Sequence, residues 1–312
     1  MFFLGMVEKI ILAKPRGYCA GVDRAIVTVE NALEKFGKPV YVRHQIVHNH
    51  YVVAGLEKKG AIFIEELKEV PRGSVLVLSA HGSDPKIVDE AKKQFTVIDA
   101  VCPLVTKVHL EARRFADKEY SLILIGHKGH QEVIGTMGEA PMQLVESVED
   151  AQNVDVENPE KVLYLTQTTL SVDDSGKIID VLKKRFPSIQ APPKEDICYA
   201  TTNRQSAVKE LAEGCELILI VGSENSSNSN RLVETARYAG VESYLVPDKK
   251  MLVDKWLDGK KVIGISSGAS VPDILVHQVI EKIKGKYPEL AVEDVEVVKE
   301  DMAFSLPEQV RK

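Results

Sequence analysis

The chain is poor in cysteine, has no long apolar run and carries no excess of positive charge, and each of these lacks removes a class of protein. Four cysteines in 312 residues, none in a short paired spacing, do not make a secreted disulfide framework. The thiols are expected to be reduced, in a cytoplasm. No apolar stretch approaches the roughly 18 residues that a membrane helix needs. The leading MFFLGM is too short for a secretory core and lacks a basic lead, and no lipidation box closes the chain. A soluble protein with no membrane partner is expected. The formal charge of −6 offers no field to attract a polyphosphate backbone, which argues against nucleic acid as a partner. GxGxxG, GxxxxGK followed by Ser or Thr, and HExxH are all missing, so nicotinamide, nucleotide and zinc-protease readings lack their anchors.

What the chain does have is a rhythm: a short aliphatic run, a polar or glycine-containing junction, then a helical pattern. It recurs from KIILAKPRGYCAG through SVLVLSAHGS, TVIDAVCPL, SLILIGHKGHQE, VLYLTQTTLS, EDICYATTN and LILIVGSENSSN to VIGISSGAS. This is the signature of parallel sheets with crossover helices. In such sheets ligands bind beyond the carboxyl ends of the strands, where these junctions fall. The junctions sort into thirds, each led by a cysteine. The expected fold is therefore α/β: three similar small α/β domains with mainly parallel sheets, arranged around a central iron–sulfur site. Their expected bounds are 14–101, 102–197 and 198–287, with an N-terminal strand at 1–13 joining the third and a tail at 288–312 serving as edge strand or clasp.

Three of the cysteines, Cys19 in GYCAG, Cys102 in AVCPL and Cys198 in ICYATTN, stand where a β-like run gives way to a helix. A lone cytosolic cysteine is usually a small buried hydrophobe. At a helix N-terminus, however, the helix dipole favours the thiolate that iron requires. Three thiols from separate junctions can converge on one iron–sulfur cluster, which usually takes four, leaving one iron open to a substrate. Cys215 opens the apolar run CELILIV and reads as core.

Six of the eight histidines lie at strand ends: His44, His48 and His50 in VRHQIVHNH, His81 in SAHGS, His127 and His130 in IGHKGHQE. With SENSSNSN and SSGAS they compose a cradle of imidazoles, hydroxyls, amides and helix N-termini that fits a diphosphate. Ser226, Ser227 and Asn228 are the preferred donors, although serine and asparagine are also ordinary turn and cap residues. Glu132, beside the histidines, can transfer a proton if its pocket raises its pKa, and Thr168 can relay it; as plain structure they read as a first-turn glutamate and a helix cap. Two other readings stay open. One is a metal-dependent phosphohydrolase using His44, His48, His50 and His130; the other is a non-catalytic iron–sulfur redox sensor.

The segments PRGYCAGVDRAI, VRHQIVHN, SAHG, DAVCPLVTKVH, GHKGHQEVIGTMG, TQTTLSVDD, DICYATTNRQ, GSENSSNSNRL and GASVPDILV, in this order, resemble the 4-hydroxy-3-methylbut-2-enyl diphosphate reductase family. The resemblance spans residues 9 to 278. It implies an oxidoreductase of the methylerythritol phosphate route to isoprenoids, reductively dehydroxylating (E)-4-hydroxy-3-methylbut-2-enyl diphosphate to isopentenyl and dimethylallyl diphosphates. It further implies one [4Fe-4S] cluster per chain on Cys19, Cys102 and Cys198, and an external electron donor of ferredoxin or flavodoxin type. Carried over by position, Glu132 matches the proton donor and Thr168 its neighbour at the substrate hydroxyl. His48, His81, His130, Ser226, Ser227, Asn228 and Ser270 match the substrate-binding group. Gln45 and Gln131 depart from the family pattern, which has glutamate and commonly proline there, but neither is a carried-over position.

Overall fold

The computed structural model describes residues 6–311; the first five residues of the expected N-terminal strand lie outside them. In chain order, β1 (Lys9–Lys14) is followed by α1 (Ala20–Phe36), β2 (Val40–Arg43), α2 (His50–Lys59), β3 (Ala61–Ile64), β4 (Val75–Leu78), α3 (Pro85–Lys92) and β5 (Thr96–Asp99). Next come α4 (Pro103–Ala116), β6 (Ser121–Ile125), α5 (Gln131–Glu139), β7 (Gln143–Val145), α6 (Val148–Asn153), β8 (Val162–Thr166) and α7 (Val172–Arg185). The chain closes with α8 (Tyr199–Ala212), β9 (Leu217–Val221), α9 (Ser227–Tyr238), β10 (Glu242–Val246), β11 (Val262–Ser267), α10 (Asp273–Lys286) and β12 (Ala291–Glu296).

The strands form three sheets, ordered β10-β9-β11-β1-β12, β3-β2-β4-β5 and β7-β6-β8. Every pairing between them is parallel. The expected α/β class with parallel sheets is what the chain adopts. It divides into two compact units: residues 6–19, 48–50 and 199–302 hold the five-stranded sheet, and residues 20–47, 51–198 and 303–311 hold the other two.

The first unit shows why the strands read as unbroken apolar runs. Leu217, Leu219 and Val221 of β9 point to one face, against Leu275, Val276, Val279 and Ile283 of α10. Ile218 and Ile220 point to the other, against Ala207, Val208 and Leu211 of α8 and Leu232 and Val233 of α9. Side chains alternate across a strand, so a sheet covered on both faces needs apolar residues at every position. Each such side chain contributes about 1.5–3 kcal/mol on burial. At the margin β12, with Glu293, Asp294 and Glu296, is exposed and charged, which blunts the edge against pairing with another chain. It is tied to β1 by Lys9–Glu293 and Lys14–Asp294 ion pairs.

In the second unit the same logic repeats. Val40, Val42, Val77 and Ile98 pack on Ala25, Val29 and Leu33 of α1, joined by Val310 from the chain's last turn. Ile123, Ile125, Val162 and Tyr164 pack on Ile178 and Leu182 of α7, while Leu122, Leu124, Leu163 and Leu165 face Val108, Ala112 and Phe115 of α4. Among the described residues no helix is long and apolar enough to cross a membrane.

Candidate active site

Nearly every side chain singled out in the sequence sits just past the carboxyl end of a strand: Cys19 after β1, His48 after β2, His81 after β4, Cys102 after β5, His130 and Glu132 after β6, Thr168 after β8, Ser226 to Asn228 after β9 and Ser270 after β11. Cys198 differs. No strand precedes it directly; apart from a single bridge between Leu163 and Gln190, the segment from 187 to 198 is irregular. Pro192 and Pro193 interrupt it, and proline supplies no ladder hydrogen bond.

In the first unit, Gly17 turns the chain after β1 with φ +73°, a conformation that carries no steric cost only for glycine. Its N–H donates to Ser267 Oγ (2.8 Å), and two residues on the Cys19 N–H donates to the Ala269 carbonyl (3.2 Å). The neighbouring Ser270 hydroxyl donates to the His48 carbonyl (3.1 Å), so Cys19, His48 and Ser270 share one corner. Ser226 caps α9, its Oγ accepting from the Ser229 N–H (3.3 Å) and the Ser229 hydroxyl (3.0 Å). Asn228 is buried, and both its amide oxygen and nitrogen lack a hydrogen-bond partner. A buried amide without partners costs about 1–3 kcal/mol, and at a helix N-terminus such a group suits an anion.

In the second unit the residues form a continuous chain of contacts. The Cys102 N–H donates to the Ala80 carbonyl (2.9 Å), and the next residue, His81, meets His130 edge-on with ring centroids 5.9 Å apart. His130 caps α5 by accepting the Glu132 N–H on Nδ1 (3.2 Å), which in the neutral ring puts its proton on Nε2. Glu132, 2% exposed, accepts the Thr168 N–H on Oε1 (2.6 Å) and the Thr168 hydroxyl on Oε2 (3.0 Å). The Thr168 carbonyl in turn accepts the Cys198 N–H (3.0 Å).

Burial pushes the Glu132 carboxyl up to about 7, against the opposing pull of the two Thr168 bonds; the negative charge of Asp196 adds to the rise. Asp196 is a residue that reading the sequence missed. It is buried, accepts from the Thr166 N–H (2.9 Å) and Lys107 Nζ (2.8 Å), and anchors the segment before Cys198. The signal was an acidic residue among prolines and apolar neighbours, which composition alone cannot distinguish from a solvated loop charge. Gln167 was missed as well: it accepts the His127 N–H (3.0 Å) and bonds Thr169, fastening the ends of β6 and β8 together.

Among the described residues, no group of three or more His, Cys, Asp or Glu is gathered as the ligands of a metal ion. A four-iron cluster makes a different demand, because each thiolate binds its own iron and the sulfurs stand farther apart than around one ion. The donor set fits that demand in kind. Cys19, Cys102 and Cys198 form no disulfide and are half-buried, and each lies at the start of a helix. Cys215 is buried in the core, where burial pushes its thiol up to about 11.

Residues 10–284 match the model of the LytB protein family. The chain belongs to the LytB family. The 4-hydroxy-3-methylbut-2-enyl diphosphate reductase of Streptomyces coelicolor is 55% identical over 98% of this chain and 91% of its own length. The enzyme of the same name from Neisseria meningitidis is 54% identical over 98% and 97%. The solved structure of the E-1-hydroxy-2-methyl-but-2-enyl-4-diphosphate reductase from Plasmodium falciparum matches with a TM-score of 0.94 at 40% identity, covering 97% of each chain. As a LytB protein with these relatives the chain is an oxidoreductase, which displaces both the phosphohydrolase and the non-catalytic sensor. His44, prominent in the phosphohydrolase reading, has its Nδ1 2.5 Å from the Glu65 carboxylate.

Proposed function

We propose that this LytB protein reduces (E)-4-hydroxy-3-methylbut-2-enyl diphosphate, in a cytoplasm, to isopentenyl and dimethylallyl diphosphates in the methylerythritol phosphate route, with one [4Fe-4S] cluster on Cys19, Cys102 and Cys198. Two electrons and two protons enter; the carbon–oxygen bond breaks, one proton leaves with the hydroxyl as water, and the other joins either end of the allylic fragment, giving two isomers. When bound, the cluster supplies the electrons singly and an iron, free of thiolate, that acts as a Lewis acid on the hydroxyl oxygen. The electrons come from an external carrier of ferredoxin or flavodoxin type.

The observation that carries the reading is Glu132: a buried carboxyl held near neutrality and hydrogen-bonded by Thr168. A carboxyl poised near the working pH is a proton donor for a leaving hydroxide, worth about 10²–10⁴ in rate. Thr168 holds it by backbone and hydroxyl and can pass the proton on. Ser226, Ser227 and Asn228 at the start of α9, with Ser270, His48, His81 and His130, bind the diphosphate and orient the alcohol; the unsatisfied Asn228 amide is a donor with nothing else to serve. Cys215, with its raised thiol pKa, takes no part.

The test is anaerobic purification followed by iron and sulfide quantification, electron paramagnetic resonance and turnover with the allylic diphosphate. About four irons and four sulfides per chain, with both isomers formed, are expected. Turnover by protein free of labile sulfide would sink the reading.

A further inference from the structure

The largest side chain with no exposed surface is a charged one, Arg204 of α8. Removing a guanidinium from water is costly unless its donors are matched, and an apolar residue of similar size would suit the fold as well. Its two terminal nitrogens are matched, while Nε has no partner. Nη1 donates to the Ala200 carbonyl (2.9 Å) and to Glu300 Oε1 (3.1 Å), and Nη2 donates to the Gly17 carbonyl (2.8 Å). Both nitrogens also lie 3.4 Å from Glu300 Oε2. The Asn203 amide donates to the same carboxylate (3.1 Å). The Glu300 side chain is only 14% exposed.

Glu300 lies four residues past β12, in the tail to which the sequence assigned no chemistry. Gly17 is the left-handed turn two residues before Cys19. The loop is thus held at three backbone atoms: the Gly17 carbonyl by Arg204, the Gly17 N–H by Ser267 and the Cys19 N–H by Ala269. Only the first of these depends on the tail, because a planar fork oriented by a carboxylate is what keeps Nη2 on the Gly17 oxygen. A neighbouring tie, Arg16 to Asp294 and Asp273, runs over exposed carboxylates and is open to screening.

We propose that Glu300 is a positioning residue: through the buried Arg204 it fixes the Gly17 carbonyl and thereby the loop that presents Cys19. The consequence for the reaction rests on Cys19 being a cluster ligand; the fastening of the loop does not. It is measured on full-length protein before cluster reconstitution, so the two can fail separately. Glu300→Gln is compared with Glu293→Gln, a control on the same tail whose carboxylate pairs with Lys9 at the surface. Pulsed alkylation read by peptide mass spectrometry reports Cys19, with Cys102 and Cys198 as internal references, while hydrogen exchange reports the amides of Gly17 and Cys19. Glu300→Gln is expected to speed both readouts at Cys19 on the order of tenfold, as loss of one charge-assisted hydrogen bond does to a local opening, and to leave Cys102 and Cys198 at parental rates. Glu293→Gln stays at parental rates throughout. Should Glu300→Gln fail to fold, Glu300→Asp, too short to keep the fork, is read in the same way. Parental labelling at Cys19, or a rise shared equally by all three thiols, overturns the proposal.

Discussion

Replacing Glu132 by glutamine separates the cost of the site from its use. Gln keeps the shape, and its amide oxygen can still accept the Thr168 N–H while its nitrogen donates to the Thr168 hydroxyl. What disappears is the ionisable proton. Burial raises the carboxyl from 4.5 to about 7, so between these values the folded chain holds a proton that the unfolded chain has released. The stability that this group contributes is therefore fully present below pH 4.5 and is lost as pH rises through 7. At about 1.4 kcal/mol per pH unit, the parent gives up at most about 3.5 kcal/mol by pH 8. Glu132→Gln should not. In cluster-free protein, denaturant midpoints should nearly coincide for parent and variant at pH 5 and separate at pH 8, with the variant the more stable. In loaded protein, turnover should fall about 10²–10⁴-fold, and the parent's own rate should decline above pH 7. A variant no more stable than the parent at pH 8, or one turning over at the parental rate, would refute the assignment of Glu132 as a buried acid that carries the proton.

Thr168→Val removes the hydroxyl bond to Glu132 Oε2 and leaves the backbone bond to Oε1; because the lost bond favours the ionised form, the alkaline limb of the rate profile should move to higher pH, by about one unit at most. Gly82→Ala meets a double penalty, since Gly82 has φ +83° and a Cβ there would come 2.9 Å from His109 Cε1; a loss of more than about 1 kcal/mol in thermal unfolding is expected, with displacement of His81 seen as weakened substrate binding. Asn228→Leu discards an amide that lacks partners in the ligand-free protein, so the variant should unfold no more easily than the parent while calorimetry with inorganic pyrophosphate shows binding weakened by tenfold or more.

The parts of the molecule that could be read from the sequence are those whose physics is local. Aliphatic runs such as LILIV and SLILI announce strands covered on both faces, and the polar junctions after them lie where parallel strands deliver ligand-binding residues. Glu132 and Thr168 were legible as candidates because each follows a strand. Their hydrogen bonds, which set the carboxyl's pKa, span residues far apart in sequence, and nothing in GHQEV or LTQTT announces them. Asp196 and Arg204 escaped for the same reason: a buried charge looks like a surface charge until its partners are known. The strand anticipated before Cys198 was a different kind of miss, since Ile197 and Cys198 beside two prolines are too little to sustain a ladder.

The backbone bonds of the three cysteines link these scales. Each cysteine N–H donates to a carbonyl in another strand-end loop: Cys19 to Ala269 beside Ser270, Cys102 to Ala80 beside His81, and Cys198 to Thr168 itself. In every case the accepting loop carries a residue put forward for substrate binding. A side chain holds its thiol only as firmly as its backbone is held, so a shift in a substrate-binding loop must move the adjoining cysteine with it. The accepting atoms are carbonyls, which every residue has, so the sequence could not display the pattern. Nor does the bond itself depend on which side chain stands at positions 80 and 269; the smallness of Ala80 answers instead to its place in a packed core. Substitutions at Ala80 and Ala269 that keep the backbone path should therefore leave the cysteines in place, whereas a proline at 19 or 102, which removes the donor as well as the thiol, would free the loop from its partner. Main-chain bonds repeated three times thus hold the candidate cluster ligands, with side-chain ties from Arg204 and Ser267 added at the Cys19 loop.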